Sequence, residues 1–153
     1  MHRGILATCL VAMAAAAVCA GSTIAQASGS AAGPTVVMPS SIKWTPVKGM
    51  TGVQTAVLWG DPTQSGSQYA IRYSVADGTK FPVHTHPMME QVTVISGTFM
   101  VAAGSTWDAT KLTALPAGTY VAIPPNLPHY GQAKGATILE VHGIGPDKFV
   151  MVK

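Results

Sequence analysis

Four side chains, His84, His86, Glu90 and His129, have the types and spacing needed to hold one divalent metal ion. Three lie in the run Gly78-Thr-Lys-Phe-Pro-Val-His84-Thr-His86-Pro-Met-Met-Glu90-Gln-Val-Thr-Val-Ile-Ser-Gly97, and His129 follows Glu90 by 39 positions. Two imidazoles at i and i+2 of an extended chain point to the same face, because strand side chains alternate. Pro87 marks a turn that brings Glu90 back toward that face, and a second extended segment supplies His129. The competing reading places these residues on solvent-facing positions. Against it stand the flanks Phe81, Val83, Val92, Val94 and Ile95, whose apolar character marks buried strands. A carboxylate left unpaired in such an interior is strongly disfavoured, and a bound metal removes that cost.

The elements that must position these groups read as short strands between turn residues. Extended segments fall at 55–59, 68–75, 81–86, 91–95, 98–102, 120–123, 129–132, 137–142 and 148–152, with a tight Ser96-Gly97 corner between the fourth and fifth. Little of the chain reads as helix, although residues 108–115 could form a turn or two. Eight or nine such strands predict an all-β sandwich or barrel, and closure into a small barrel removes exposed sheet edges.

The first 27 residues have the layout of a secretory signal peptide: Arg3 near the start, an apolar stretch from Ile5 to Val18, and the small-residue site Ala25-Gln-Ala27. Cleavage there predicts a periplasmic or secreted protein with no stable membrane anchor. Both cysteines, Cys9 and Cys19, leave with the leader, so no thiolate remains to compete for a metal. Only four histidines remain, and three belong to the proposed ligand set. Residues 28–45 read as a tether and N-terminal extension, and 46–153 as the folded domain. After cleavage eight Lys and Arg face six acids, scattered along the chain. No basic cluster of the kind that binds nucleic acid or anionic lipid is present.

The spacing Gly78-x5-His84-x-His86-x3-Glu90-x6-Gly97 resembles the first signature of the cupin superfamily at every fixed position. The segment Gly118-x5-Pro124-x-Asn126-x2-His129 resembles the second, with Asn126 where that pattern has Gly and Ala133 where it often has Asn. Pro125-Asn126 suits a type II turn, since Asn tolerates positive φ, so the first departure is mild. The resemblance covers roughly residues 68–142. It implies a single-domain conical β-barrel of jelly-roll type and a homodimer. It also implies a metal held by His84, His86, Glu90 and His129, and a small-molecule pocket at one mouth.

Ligand type alone does not choose among Fe, Mn, Ni, Cu, Co and Zn. Tyr120, Tyr130, Trp59, Arg72, Met88 and His142 are further candidates for the pocket or its surroundings. For most of them packing or surface pairing is the simpler role: Arg72 as a paired charge, His142 as a partner of Glu140. No dedicated acid or base stands out beyond the ligands. The sequence therefore favours a metal-dependent enzyme with oxygenase-like redox chemistry on a small molecule over an isomerase or hydrolase. The alternative is a non-catalytic module that binds or senses a metal or small ligand.

Overall fold

The computed structural model describes residues 33–152. The leader, and the tether as far as residue 32, lie outside the described residues. Thr35–Lys153 forms one compact unit. A single 3-10 turn, Pro39–Ser41, precedes the strands.

Among the described residues nine strands follow: β1 (Thr45–Pro46), β2 (Val53–Gly60), β3 (Gln68–Val75), β4 (Lys80–Thr85), β5 (Glu90–Ala103), β6 (Thr113–Pro116), β7 (Tyr120–Ile123), β8 (His129–Ile144) and β9 (Val150–Met151). All belong to one curled sheet in the order β1-β2-β3-β8-β4-β9, with β5 pairing β6, β7 and β8. This is the all-β, cupin-type barrel that the strand spacing and the two motifs predict. Alternating apolar positions face inward: Val53, Tyr69, Ile71, Val75, Val92, Val94, Phe99, Ala133, Leu139 and Val141 form the buried core.

The Ser96-Gly97 corner differs from the sequence expectation. It does not join two short strands by a tight turn. Instead β5 runs unbroken for 14 residues and bends there, with register shifts against β8 between Val94 and Ser96 and between Ser96 and Thr98. β8 bends with it, fusing the expected 129–132 and 137–142 segments into one 16-residue strand. The paired bend lets one ladder serve both halves of the barrel, with β7 against Glu90–Thr93 and β6 against Thr98–Val101. Gly97 makes this possible: its φ is +77°, and a Cβ there would press on the Ala136 carbonyl and on Thr137. Thr137 seals the corner, its hydroxyl donating to the carbonyls of Thr98 and Gly135, 3.1 Å each.

The helical expectation for 108–115 is met only in part. Asp108 caps a three-residue 3-10 turn, Ala109–Lys111, by accepting from the Thr110 N–H at 2.9 Å. The chain then returns to the sheet as β6.

Candidate metal centre

Strand alternation on β4 and its extension puts His84 and His86 on one inward face. His129, at the start of β8, is the direct partner of His84 across the β4–β8 ladder. All three rings are buried, with exposures of 4%, 9% and 5%. Each offers a ligand nitrogen within 4.8 Å of the others. Glu90 opens β5 and brings Oε2 to 3.4 Å from both His86 Nε2 and His129 Nε2. Of the four residues singled out from spacing, the three histidines converge on one another, and Glu90 stands beside two of them, His86 and His129.

The loop after β7 secures the fourth of them. Leu127 N–H donates to the Pro124 carbonyl at 3.3 Å, and Asn126 takes φ +60°, as the Pro-Asn turn predicts. The Asn126 N–H also donates to the His86 carbonyl at 2.8 Å, which ties the second motif to the first.

Ring orientation is fixed as well as position. His84 Nδ1 lies 2.7 Å from the Pro82 carbonyl, and His129 Nδ1 lies 2.9 Å from the Leu127 carbonyl. A carbonyl can only accept, so in each neutral ring the proton sits on Nδ1 and Nε2 keeps its lone pair. That is the form in which imidazole binds a metal. His86 differs: both of its buried nitrogens lack a hydrogen-bond partner. Buried polar atoms without partners are rare and costly. A cation at the meeting point would satisfy His86 Nε2, so the residues present fit a metal held by three imidazoles and one carboxylate.

The electrostatics separate His84 from His129. Burial is the main influence on His84 and lowers its pKa to about 4, so the ring stays neutral well into acid. Burial alone would raise Glu90 and lower His129. Their mutual attraction outweighs it, with help for Glu90 from His86 and His84. Glu90 is held below its ordinary value and His129 above it.

A cavity of about 570 Å³ runs from this cluster into the barrel. Its walls are mainly apolar, including Val47, Met50, Phe81, Phe99, Val121 and Leu139. A volume of this size falls within the range of small-molecule sites.

The remaining sequence candidates distribute away from the cluster. Arg72 Nε pairs with Glu140 Oε2 at 2.7 Å, and His142 Nε2 with Glu140 Oε1 at 2.9 Å, so these three form a surface group. Trp59, Met88 and Tyr120 are exposed, and the Tyr120 hydroxyl donates to Gln91 Oε1. Tyr130 is fully buried and borders the cavity, but its hydroxyl donates to the Asp108 carbonyl at 3.1 Å.

Two residues at the site carry no signal in the sequence. The Phe149 ring stacks on His84 with centroids 3.7 Å apart and planes 13° from parallel. Asp147 Oδ1 lies 3.6 Å from His86 Nδ1. Both ride on the C-terminal segment, which β9 anchors beside β4 through the pairs His84–Met151 and Thr85–Val150. The strand expected at 148–152 does form in part, as β9, but nothing in the sequence says where it docks, and only the folded chain shows that the tail crosses the site.

The sequence matches the family described as the ChrR Cupin-like domain over residues 32–146. No curated protein matches it. Among solved structures, an RmlC-like cupin from Shewanella frigidimarina is similar at 18% identity. The match covers 73% of this chain and 91% of that one, with a TM-score of 0.58. The polyketide cyclase RemF from Streptomyces resistomycificus aligns at 17% identity over 77% of this chain and 84% of its own, with a TM-score of 0.63. A salicylate 1,2-dioxygenase from Pseudoaminobacter salicylatoxidans aligns at 16% identity over 66% of this chain and 27% of its own, with a TM-score of 0.54. At these identities the likeness is one of fold.

Proposed function

Because the chain belongs to the ChrR cupin-like family, we propose that it is an exported metal-binding cupin carrying out metal-dependent redox chemistry on a small molecule. His84, His86, His129 and Glu90 would hold the metal. The observation that carries this reading is the convergence of three buried imidazoles, two with the tautomer fixed for ligation, on the Glu90 carboxylate at the end of an apolar cavity. A transition metal bound there would supply Lewis acidity or a redox-active centre beside the small molecule.

The chain's own groups favour redox chemistry over acid–base chemistry. The other titratable residues along the cavity are turned to other tasks. Tyr130 donates to the Asp108 carbonyl. Tyr73 donates to Asp147, and burial raises its hydroxyl well above the usual range. Lys80 lies over the Trp107 ring at 5.1 Å, and Lys48 is exposed. What the cavity provides is a mainly apolar wall against which a substrate's carbon skeleton would rest beside the ligand cluster. Neighbours as different as a cyclase and a dioxygenase share the fold, so the fold does not select the reaction.

Elemental analysis of natively expressed protein tests the centre, and oxygen uptake with a panel of diols, diketones and phenols tests the chemistry. Iron, manganese or copper at one ion per chain, with oxygen consumed alongside one compound class, is the expected result. Metal bound with no turnover across the panel would favour the alternative, a non-catalytic binding or sensing module. A protein that binds none of the six metals would overturn the metal-dependent reading and leave only a module for a small ligand. Export is tested separately, by amino-terminal sequencing of protein recovered outside the cytoplasm, where a start at Ser28 is expected.

A further inference from the structure

His86 is the one ring of the three whose far nitrogen is not held by its own strand. For His84 and His129 the acceptor is the carbonyl two residues earlier, Pro82 and Leu127. The corresponding residue for His86 is His84, and no such bond forms. His86 Nδ1 is buried and has no hydrogen-bond partner, while the Asp147 carboxylate stands 3.6 Å away, just outside bonding distance.

Asp147 is itself held firmly. Its N–H donates to the Pro62 carbonyl at 2.7 Å, and the Tyr73 hydroxyl reaches Oδ2 at 3.5 Å. On its N-terminal side Gly145 N–H donates to the Ser67 carbonyl at 2.7 Å. Beyond it, β9 pairs with β4, and Val152 N–H donates to the Val83 carbonyl at 3.1 Å. The carboxylate is thus carried across the site on a segment tied down at both ends. It faces the Nδ1 edge of His86, whereas Glu90 faces the Nε2 edge. Asp147 therefore sits behind the ligand and not among the ligands.

We propose that Asp147 is the positioning residue of His86: it accepts the Nδ1 proton, closes the short remaining gap, and leaves Nε2 as the free lone pair aimed at Glu90 and His129. The C-terminal segment then does for His86 what local carbonyls do for the other two rings. This gives all three histidines the same tautomer, and outer partners of this kind commonly set ligand orientation and metal affinity. The proposal rests on the metal-binding reading, but its central claim concerns the ring and can be read without metal.

The test uses the full chain and two measurements. Nitrogen-15 NMR of the histidine rings in metal-free protein, at a pH where they are neutral, reports which nitrogen carries each proton. The expected wild-type result is a proton on Nδ1 of His86, with Asp147→Ala shifting that ring toward the Nε2-protonated form. A wild-type His86 protonated on Nε2 overturns the proposal, and it does so even if the variant fails to fold. Zinc competition against a chromophoric chelator is the second readout. Asp147→Ala is expected to weaken zinc binding by about 10–100-fold, and Asp147→Asn, which keeps an amide oxygen as acceptor, by less. Folded Asp147→Ala protein that binds zinc as tightly as wild type overturns the proposal. If wild-type protein binds no zinc or other metal, the functional reading fails while the ring tautomer still decides the role of Asp147.

Discussion

His84 and His129 are directly paired across the β4–β8 ladder, with ring centroids 4.1 Å apart and each Nδ1 turned back on its own strand. The two halves of the site, 45 residues apart in sequence, are therefore set by backbone register. A slip of one residue would send one ring to the opposite face.

Removing either ring should remove most of the metal affinity. His84→Ala and His129→Ala are each expected to weaken zinc binding by at least about 100-fold, beyond the loss caused by deleting an outer partner. His142→Ala, which touches only the half-buried Glu140 away from the cluster, should leave it unchanged. Chelator competition checks all three. Equal losses for His142 and His84 variants would sink the assignment of the ligand set.

Acid should destabilise the metal-free protein before its carboxylates titrate. The His84 pKa is lowered, mainly by burial, from 6.5 to about 4. Between those values the unfolded chain takes up a proton at His84 that the folded chain refuses, so stability falls as pH falls. The full effect is about 3 kcal/mol for a shift of this size. His129 has the opposite sign: its raised pKa contributes stability that is complete below 6.5 and lost as pH rises through the folded value, so it adds no slope in the acid window. Glu90, held below its ordinary value, adds to the acid loss only below about 4.5. Urea midpoints measured in chelator at pH 6.5, 5.5 and 5 should decline in order. A flat profile would contradict the burial of a neutral His84.

The candidate site residues and the barrel class were legible because they depend on local pattern. The i, i+2 spacing of His84 and His86 needs only strand alternation, and Pro125-Asn126 states its own turn. The bent β5 and β8 were not legible, because Ser96-Gly97 looks the same in a hairpin corner as in a strand that folds across a barrel. Only pairing with β8 on both sides of Gly97 distinguishes them. Asp147 and Phe149 were invisible for a related reason. Their roles arise from where β9 docks: the strand expected at 148–152 was legible, but its pairing with β4 is a tertiary contact that the short tail does not encode.

The Phe149 ring should contribute modestly to stability through its stacking on His84. It remains 40% exposed, so little of its value comes from burial. Phe149→Ala is expected to lower the unfolding free energy of the metal-free protein by about 0.5–1.5 kcal/mol, the range for an aromatic pair. Phe149→Trp, which keeps a stacking face, should retain most of it. Denaturant titration gives the comparison, and an alanine variant as stable as wild type would show that the stack holds nothing in place.

Gly97 and Gly118 separate backbone strain from steric exclusion. Both have positive φ, +77° and +88°, but a Cβ on Gly118 would meet nothing within 4 Å. Gly118→Ala should therefore show only the conformational cost of a left-handed residue, about 1–2 kcal/mol. Gly97→Ala carries the same cost and in addition drives its methyl group into the Ala136 carbonyl and to 2.9 Å from the Thr137 Cα. Those are backbone atoms of the paired strand, so relief requires opening the β5–β8 corner. The expected loss exceeds that of Gly118→Ala by about 1–3 kcal/mol, the range for overpacking, and weakened protection of the Thr98 and Thr137 amides in hydrogen exchange should accompany it. Equal costs at the two positions would mean that the corner yields freely.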